Sequence, residues 1–286
     1  MSGKHLTRHR HIQRDLFVAD VWGADPRDDI ASMEHPIFAL KAGDRRDIEY
    51  THNGVHVAIR PTSKGRATIH DKDVWIYCIS RLVQALDEGA EISRTVRFSA
   101  YDFLVNTNRD TSGRAYERMA DALDRLSGTR IRTDIETGGR RESRGFGLID
   151  SWRVIEEHNG RAVAVEVTLP EWLMRAVEDR HVLKISPDYF RLRKPLDRRI
   201  YELARKHCGH QGKWTVSLKV LHKKSGSTDT LRKFRAAIRS LAESDELPDY
   251  ALFYDAKRDQ VRVYPRNPKG MAALAAEAIK SHADKL

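Results

Sequence analysis

The sequence predicts an α+β fold of two tandem winged-helix domains, and three observations lead there. Residues 213–239 hold eight Lys/Arg against one acidic residue, laid over two short helical patterns. Two strand-like runs follow at once, Tyr250–Tyr254 and Gln260–Tyr264, joined by the polar turn Asp255–Asp259. The same order of short helix, turn, longer helix and hairpin occurs once earlier, between residues 99 and 152.

The elements are read in chain order. Residues 1–34 are polar and lack a sustained period, so they are expected to form a flexible or loosely docked arm, with one apolar knot at Leu16, Phe17, Val18, Val21 and Trp22. Ile48–Tyr50 and Val55–Ile59, around the turn pair Asn53-Gly54, predict a β-hairpin. Asp71–Glu88 predicts an amphipathic helix with Trp75, Ile79, Leu82, Val83 and Leu86 on its apolar stripe. A strand at Thr95–Phe98 leads into Ser99-x-x-Asp102, a capping-box-like start for a short helix. A longer helix follows from about Arg114 to Leu126, its core face Tyr116, Met119, Ala120, Leu123 and Leu126. Thr129–Ile135, the Gly138-Gly139 turn and a return through Gly147–Trp152 predict the first hairpin wing. Strand 162–169 and helix 170–177 close a first domain over 35–180, and the second runs 181–286.

In the second domain Leu196, Ile200, Leu203 and Ala204 mark the first buried stripe. Ser217 is placed to cap a short helix holding Leu218 and Leu221. After the Ser225-Gly226-Ser227 turn, Leu231, Phe234, Ile238 and Leu241 give the next helix an apolar back. Arg232, Arg235 and Arg239 fall on another face. An isolated helix of this kind reads as merely solvated arginines; followed by a hairpin, it reads as the recognition helix of a winged-helix domain.

Composition agrees. The net charge is +10 over 286 residues, which points to a polyanionic partner, because phosphate neutralisation by Lys/Arg dominates nucleic-acid affinity. The two candidate reading segments differ: residues 109–144 hold nine basic and seven acidic residues. The second domain is therefore expected to be the main reader, and the first to give backbone contacts or self-association. The candidate DNA-binding residues are Arg114 and Arg118 on the first long helix and Arg140, Arg141 and Arg144 on the first hairpin. In the second domain they are Lys223, Lys224, Ser227, Thr228, Arg232, Lys233, Arg235 and Arg239, with Lys257 and Arg258 on its wing.

Other chemistry finds little support. Cys78 and Cys208 are 130 positions apart and suit a reducing compartment and core packing. His5, His9 and His11 lie among polar neighbours, so the His-x-His spacing of a rolling-circle nickase reads here as a solvated basic arm. His207 and His210 flank Gly209 at a helix end and do not make up the three or four ligands a metal needs. No phosphate-binding glycine loop is present. No catalysis and no cofactor are expected. No apolar run approaches membrane-spanning length, so a cytoplasmic protein without a membrane partner is expected.

At Lys194-Pro-Leu-Asp-Arg-Arg-Ile-Tyr-Glu-Leu-Ala-Arg-Lys-His-Cys-Gly209, with Trp214, Ser217-Leu218 and His222-Lys-Lys-Ser-Gly-Ser227, the chain resembles the plasmid replication initiator protein A family. That family is related to the iteron-binding initiators with two winged-helix domains. The resemblance covers about residues 36–267 and implies binding to direct repeats in a plasmid origin. It also implies opening of an AT-rich region, recruitment of the host replication initiator and replicative helicase, and repression of the chain's own promoter. Exchange between dimer and monomer is implied too, with the dimer expected through the first domain, whose extra 48–59 hairpin and 162–177 strand-helix offer a self-association surface. A transcriptional repressor without a replication role needs the same fold and stays open as an alternative.

Overall fold

The structure, a computed structural model, describes residues 25–52, 55–137, 140–156 and 162–283. It divides into two compact units. The first holds residues 25–29 and 37–184, the second residues 30–36 and 185–283.

The segment expected to belong to a loose arm is structured from Asp25 on. Strand β1 (Arg27–Asp29) belongs to the first unit and helix α1 (Ile30–Glu34) to the second. The reason is ionic. Asp28 is fully buried and accepts from the equally buried Lys72 Nζ at 2.7 Å, and such a pair is held only where both partners are fixed. The rest of the arm, with its three histidines and its apolar knot, lies outside the described residues.

The first unit continues through β2 (Ile48–His52), β3 (Val55–Arg60), α2 (Asp73–Asp87), β4 (Thr95–Ser99), α3 (Ala100–Asn106) and α4 (Gly113–Gly128). The chain then runs through β5 (Arg130–Thr137), β6 (Arg140–Gly147), β7 (Ser151–Glu156), β8 (Ala162–Thr168), α5 (Glu171–Glu178) and β9 (Val182–Lys184), which pairs with β1. Helix α2 is buried on every side of its first two turns, from Val74 to Ser80, because the surrounding elements pack around it. Trp75 anchors it, donating Nε1 to the Leu148 carbonyl at 2.8 Å. Ser99 caps α3 as its sequence suggests, accepting from the Asp102 amide. On α4 the buried face is Ala115, Met119, Ala122, Leu123 and Leu126, one step round from the expected stripe at Tyr116 and Ala120, which are half-buried.

Sheet order corrects the first wing. The three-stranded sheet runs β4-β8-β7, so the strand before the short helix pairs with the second strand of the β7–β8 hairpin. That hairpin is the wing by topology. The β5–β6 hairpin is an insertion: it joins β2 and β3 in a separate sheet, order β2-β3-β5-β6, whose outer strands are β2 and β6. The Gly147–Trp152 run reads as one return strand, yet Leu148 and Ile149 are buried in the turn between two sheets. Arg140, Arg141 and Arg144 are therefore on the insertion and not on the wing.

The second unit is simpler. After a 3-10 turn at Pro187–Arg191 come α6 (Pro195–Cys208), β10 (Trp214–Ser217), α7 (Leu218–Ser225) and α8 (Leu231–Ser244), then β11 (Tyr250–Asp255), β12 (Gln260–Pro265) and α9 (Pro268–Ala283). Its sheet order is β10-β12-β11, matching β4-β8-β7 of the first unit strand for strand. Phe234, Ile238 and Leu241 of α8 are buried, as the apolar spacing predicts. Helix α9 covers the outward side chains of β12 through Glu277, which accepts from Arg262, Tyr264 and Lys213.

The charges of α6 that look solvated in sequence are interior. Arg198 donates Nε to the Leu192 carbonyl at 2.8 Å and stacks over Tyr189. Arg199 donates to the carbonyls of Ser32, Met33 and Glu34 at 3.0, 2.9 and 3.2 Å, to Lys224 at 2.9 Å and to the Glu202 carboxylate at 3.1 Å. A helix end leaves its last carbonyls without partners. In α1 the His35 amide takes the Ala31 carbonyl, and Arg199 takes the next three.

Candidate nucleic-acid interface

The turn between α7 and α8 is fixed by its own residues. Ser217 caps α7 by accepting from the Val220 amide. Gly226 ends it with φ of 70°, in the left-handed region, and a Cβ there would lie 2.6 Å from Pro36 Cβ, so both conformation and space require glycine. The His222 ring bonds the Asp229 carbonyl at 2.8 Å and meets the Phe234 ring edge-on. Thr230 caps α8 by accepting from the Lys233 amide. Ser227 and Thr228 thus lie in the turn ahead of the helix. The Ser227 hydroxyl accepts from the Asp229 amide, and Thr228 is exposed.

Along α8 the outward face is Arg232, Lys233, Ala236, Ala237, Arg239 and Ser240. Arg232 and Lys233 lie in the first turn, and among the described residues no hydrogen bond or ion pair holds either side chain. Arg235 is held: Nε and Nη2 donate to the two carboxylate oxygens of Asp259 at 3.0 and 2.9 Å. Arg239 lies 5.0 Å over the Tyr254 ring, and the Tyr254 hydroxyl donates to Asp259 at 2.5 Å. The Arg235 and Tyr254 donors hold the Asp259 carboxyl down to about 2, while the same carboxylate raises the Arg235 pKa. The three arginines expected to act alike are therefore two kinds: one free at the helix start, two tied to the wing.

Around the helix, Lys219 and Lys223 are exposed on α7. Lys224 is not available in the same way, because it is half-buried and bonds Glu34. At the wing turn Lys257 is exposed, and Arg258 lies 3.3 Å from Asp255.

The first unit presents less. Arg114 and Arg118 are exposed on α4, with Arg118 bonded to Asp110 at 2.7 Å. Asp121 and Asp124 are exposed on the same helix, 3.6 Å from Lys64. Arg125 is spent internally, forked onto Asp71 at 2.8 Å through both nitrogens. Arg144 is exposed on β6, and the side chains of Arg140 and Arg141 lie outside those described. So does the tip of the topological wing, residues 157–161.

The histidines and cysteines weighed for other chemistry have these surroundings. His207 stacks on Trp214 at 4.7 Å and faces Glu34, not His210. No group of three His, Cys, Asp or Glu suited to a metal occurs there. Burial pushes both cysteine thiols up to about 12, in keeping with packing. No described helix is long and apolar enough to cross a membrane.

The family model for replication initiator protein A matches residues 27–252. The chain belongs to the replication initiator protein A family. A putative replication protein of Wigglesworthia glossinidia brevipalpis is 44% identical to this initiator over 258 residues, spanning 89% of this chain and 94% of that protein. Two structures of domains 2 and 3 of RctB share the fold. The first has a TM-score of 0.62 at 14% identity and covers 82% of this chain and 96% of its own. The second has a TM-score of 0.59 at 14% identity, covering 85% and 99%. At that identity the likeness bears on the fold alone, and it agrees with two winged-helix domains in tandem. This replication initiator thus carries two winged-helix domains. The residues that sequence reading missed are Asp259 and Tyr254, which hold two of the candidate readers, and the small residues Ala236, Ala237 and Ser240 between the cations. The i, i+4 spacing of Ala236 and Ser240 beside Arg232 is the signal that could have found the latter.

Proposed function

We propose that this initiator binds repeated sites in double-stranded plasmid origin DNA, with α8 of the second unit in the major groove. The observation that carries the reading is the outward face of α8. Free cations stand at its N-terminal turn, where a recognition helix meets base edges, and small side chains behind them let the backbone approach the groove. The tight wing beside it offers Lys257 and Arg258 to phosphate. In the first unit Arg114, Arg118 and the inserted hairpin would add backbone contacts. The outer strand β2 is suited to pair with its copy in a dimer that must come apart to bind direct repeats. Opening of the origin, recruitment of host initiator and helicase, and repression of its own promoter complete the reading. None of these steps calls on chemistry by the chain itself.

The test is genetic. A plasmid stripped of its origin and supplied with this gene and its flanking DNA is expected to persist, and Arg232→Ala is expected to abolish persistence. Repression of a promoter fusion without persistence would make the protein a repressor. Relaxation of supercoiled plasmid with magnesium would instead make it a nickase.

A further inference from the structure

Asp259 joins the wing, α7 and α8 of the second winged helix. It ends the wing turn with φ of 48°, and its carbonyl accepts from the Leu218 amide at the start of α7 at 2.8 Å. Its carboxylate takes the Arg235 fork at 3.0 and 2.9 Å and the Tyr254 hydroxyl at 2.5 Å. Through Tyr254 it also reaches Arg239, whose guanidinium lies 5.0 Å from the centre of the Tyr254 ring. The Arg235–Asp259 pair is only partly exposed, at 30% and 40%, and a two-point arginine–carboxylate fork is geometrically specific.

An arginine free to swing on a recognition helix meets phosphates of any sequence, which adds affinity without discrimination. We propose that Asp259 is a positioning residue that sets sequence specificity by withholding Arg235 from the phosphate backbone, while Arg239 stays over the Tyr254 ring and Arg232 and Lys233 remain the free cations of α8. The inference rests on the reading of α8 as the DNA-reading helix. The carboxylate also carries a negative charge at the wing, which opposes docking in any register that brings phosphate against it.

Asp259→Asn is the apt variant, because asparagine tolerates the left-handed backbone and keeps the side-chain shape while losing the charge. Wild-type protein first enriches a duplex from a random pool of about 20 base pairs. Wild type, Asp259→Asn, Arg235→Gln, the double variant and Arg232→Ala are then titrated over a salt series against that duplex and a scrambled one. Asp259→Asn is expected to bind the scrambled duplex more tightly, with a salt slope steeper by about 0.9, one added phosphate contact. Its specificity ratio should fall about tenfold. Arg235→Gln should leave the wild-type slope unchanged, and the double variant should match it. Equal loss of affinity for both duplexes by Asp259→Asn at unchanged slope would reduce Asp259 to a fold support and overturn the proposal. So would a slope shallower by about 0.9 in Arg235→Gln, which would make Arg235 a phosphate contact from the outset and serves even if the Asn variant does not fold. If Arg232→Ala binds the enriched duplex like wild type, the reading of α8 itself fails and takes this inference with it. Loss in Arg232→Ala beside an unaltered Asp259→Asn overturns the inference alone.

Discussion

Arg199→Ala is expected to destabilise the second unit by about 3–5 kcal/mol, the range for breaking a buried ion pair by removing one partner. Arg199 is 2% exposed. Its removal takes a donor from the carbonyls of Ser32, Met33, Glu34 and Lys224 and from the Glu202 carboxylate, which also accepts from the Tyr189 hydroxyl. Each orphaned buried acceptor costs about 1–3 kcal/mol where water does not reach it. Against a typical domain stability of about 5–15 kcal/mol, that loss is a large fraction. Arg199→Lys should recover little, because one ammonium replaces two nitrogens that serve four carbonyls. Urea unfolding followed by circular dichroism checks this: the midpoint should fall for both variants, and for Arg199→Ala amide exchange should rise at α1 and at the end of α7. A midpoint equal to wild type would mean that α1 is held by other contacts.

Arg232→Ala is expected to weaken binding to the preferred duplex by about 1–3 kcal/mol, one to two orders of magnitude, and to relax preference at one base position. Arg232 is singled out because it is exposed at the start of α8 and, among the described residues, unpaired, whereas Arg235 and Arg239 are engaged by Asp259 and Tyr254. Selection from a random pool by the variant, compared with wild type, reads both effects. A uniform loss across all sequences would make Arg232 a phosphate contact.

What was legible in the sequence was local. Ser99 and Ser217 cap the helices their spacing predicts, and the apolar back of α8 is set by Phe234, Ile238 and Leu241. The 250–264 hairpin encloses its own polar turn at Asp255–Asp259. What was not legible depends on pairing across distance. Turn chemistry marks a hairpin after α4, but nothing local says that β5 pairs with β3 while β4 pairs with β8. Buried arginines are equally hidden: Arg199 sits in an amphipathic helix where a cation ordinarily faces water, and its partners in α1 are more than 160 positions away. The candidate readers divide for the same reason. Arg235 and Asp259 are 24 positions apart, so the periodicity of α8 alone treats its three arginines as equivalent.

The main DNA-reading face is proposed to lie on the second unit. Lysine acetylation of the full chain, with and without the enriched duplex and read by mass spectrometry, tests it most directly. Lys219, Lys223 and Lys257 are exposed around α8, and Lys233 lies on it, so all four should be shielded by DNA, with Lys233 most strongly, while Lys64 of the first unit keeps its rate. Unaltered acetylation of Lys223, Lys233 and Lys257 beside strong shielding of Lys64 would contradict the account and move the reader to the first unit.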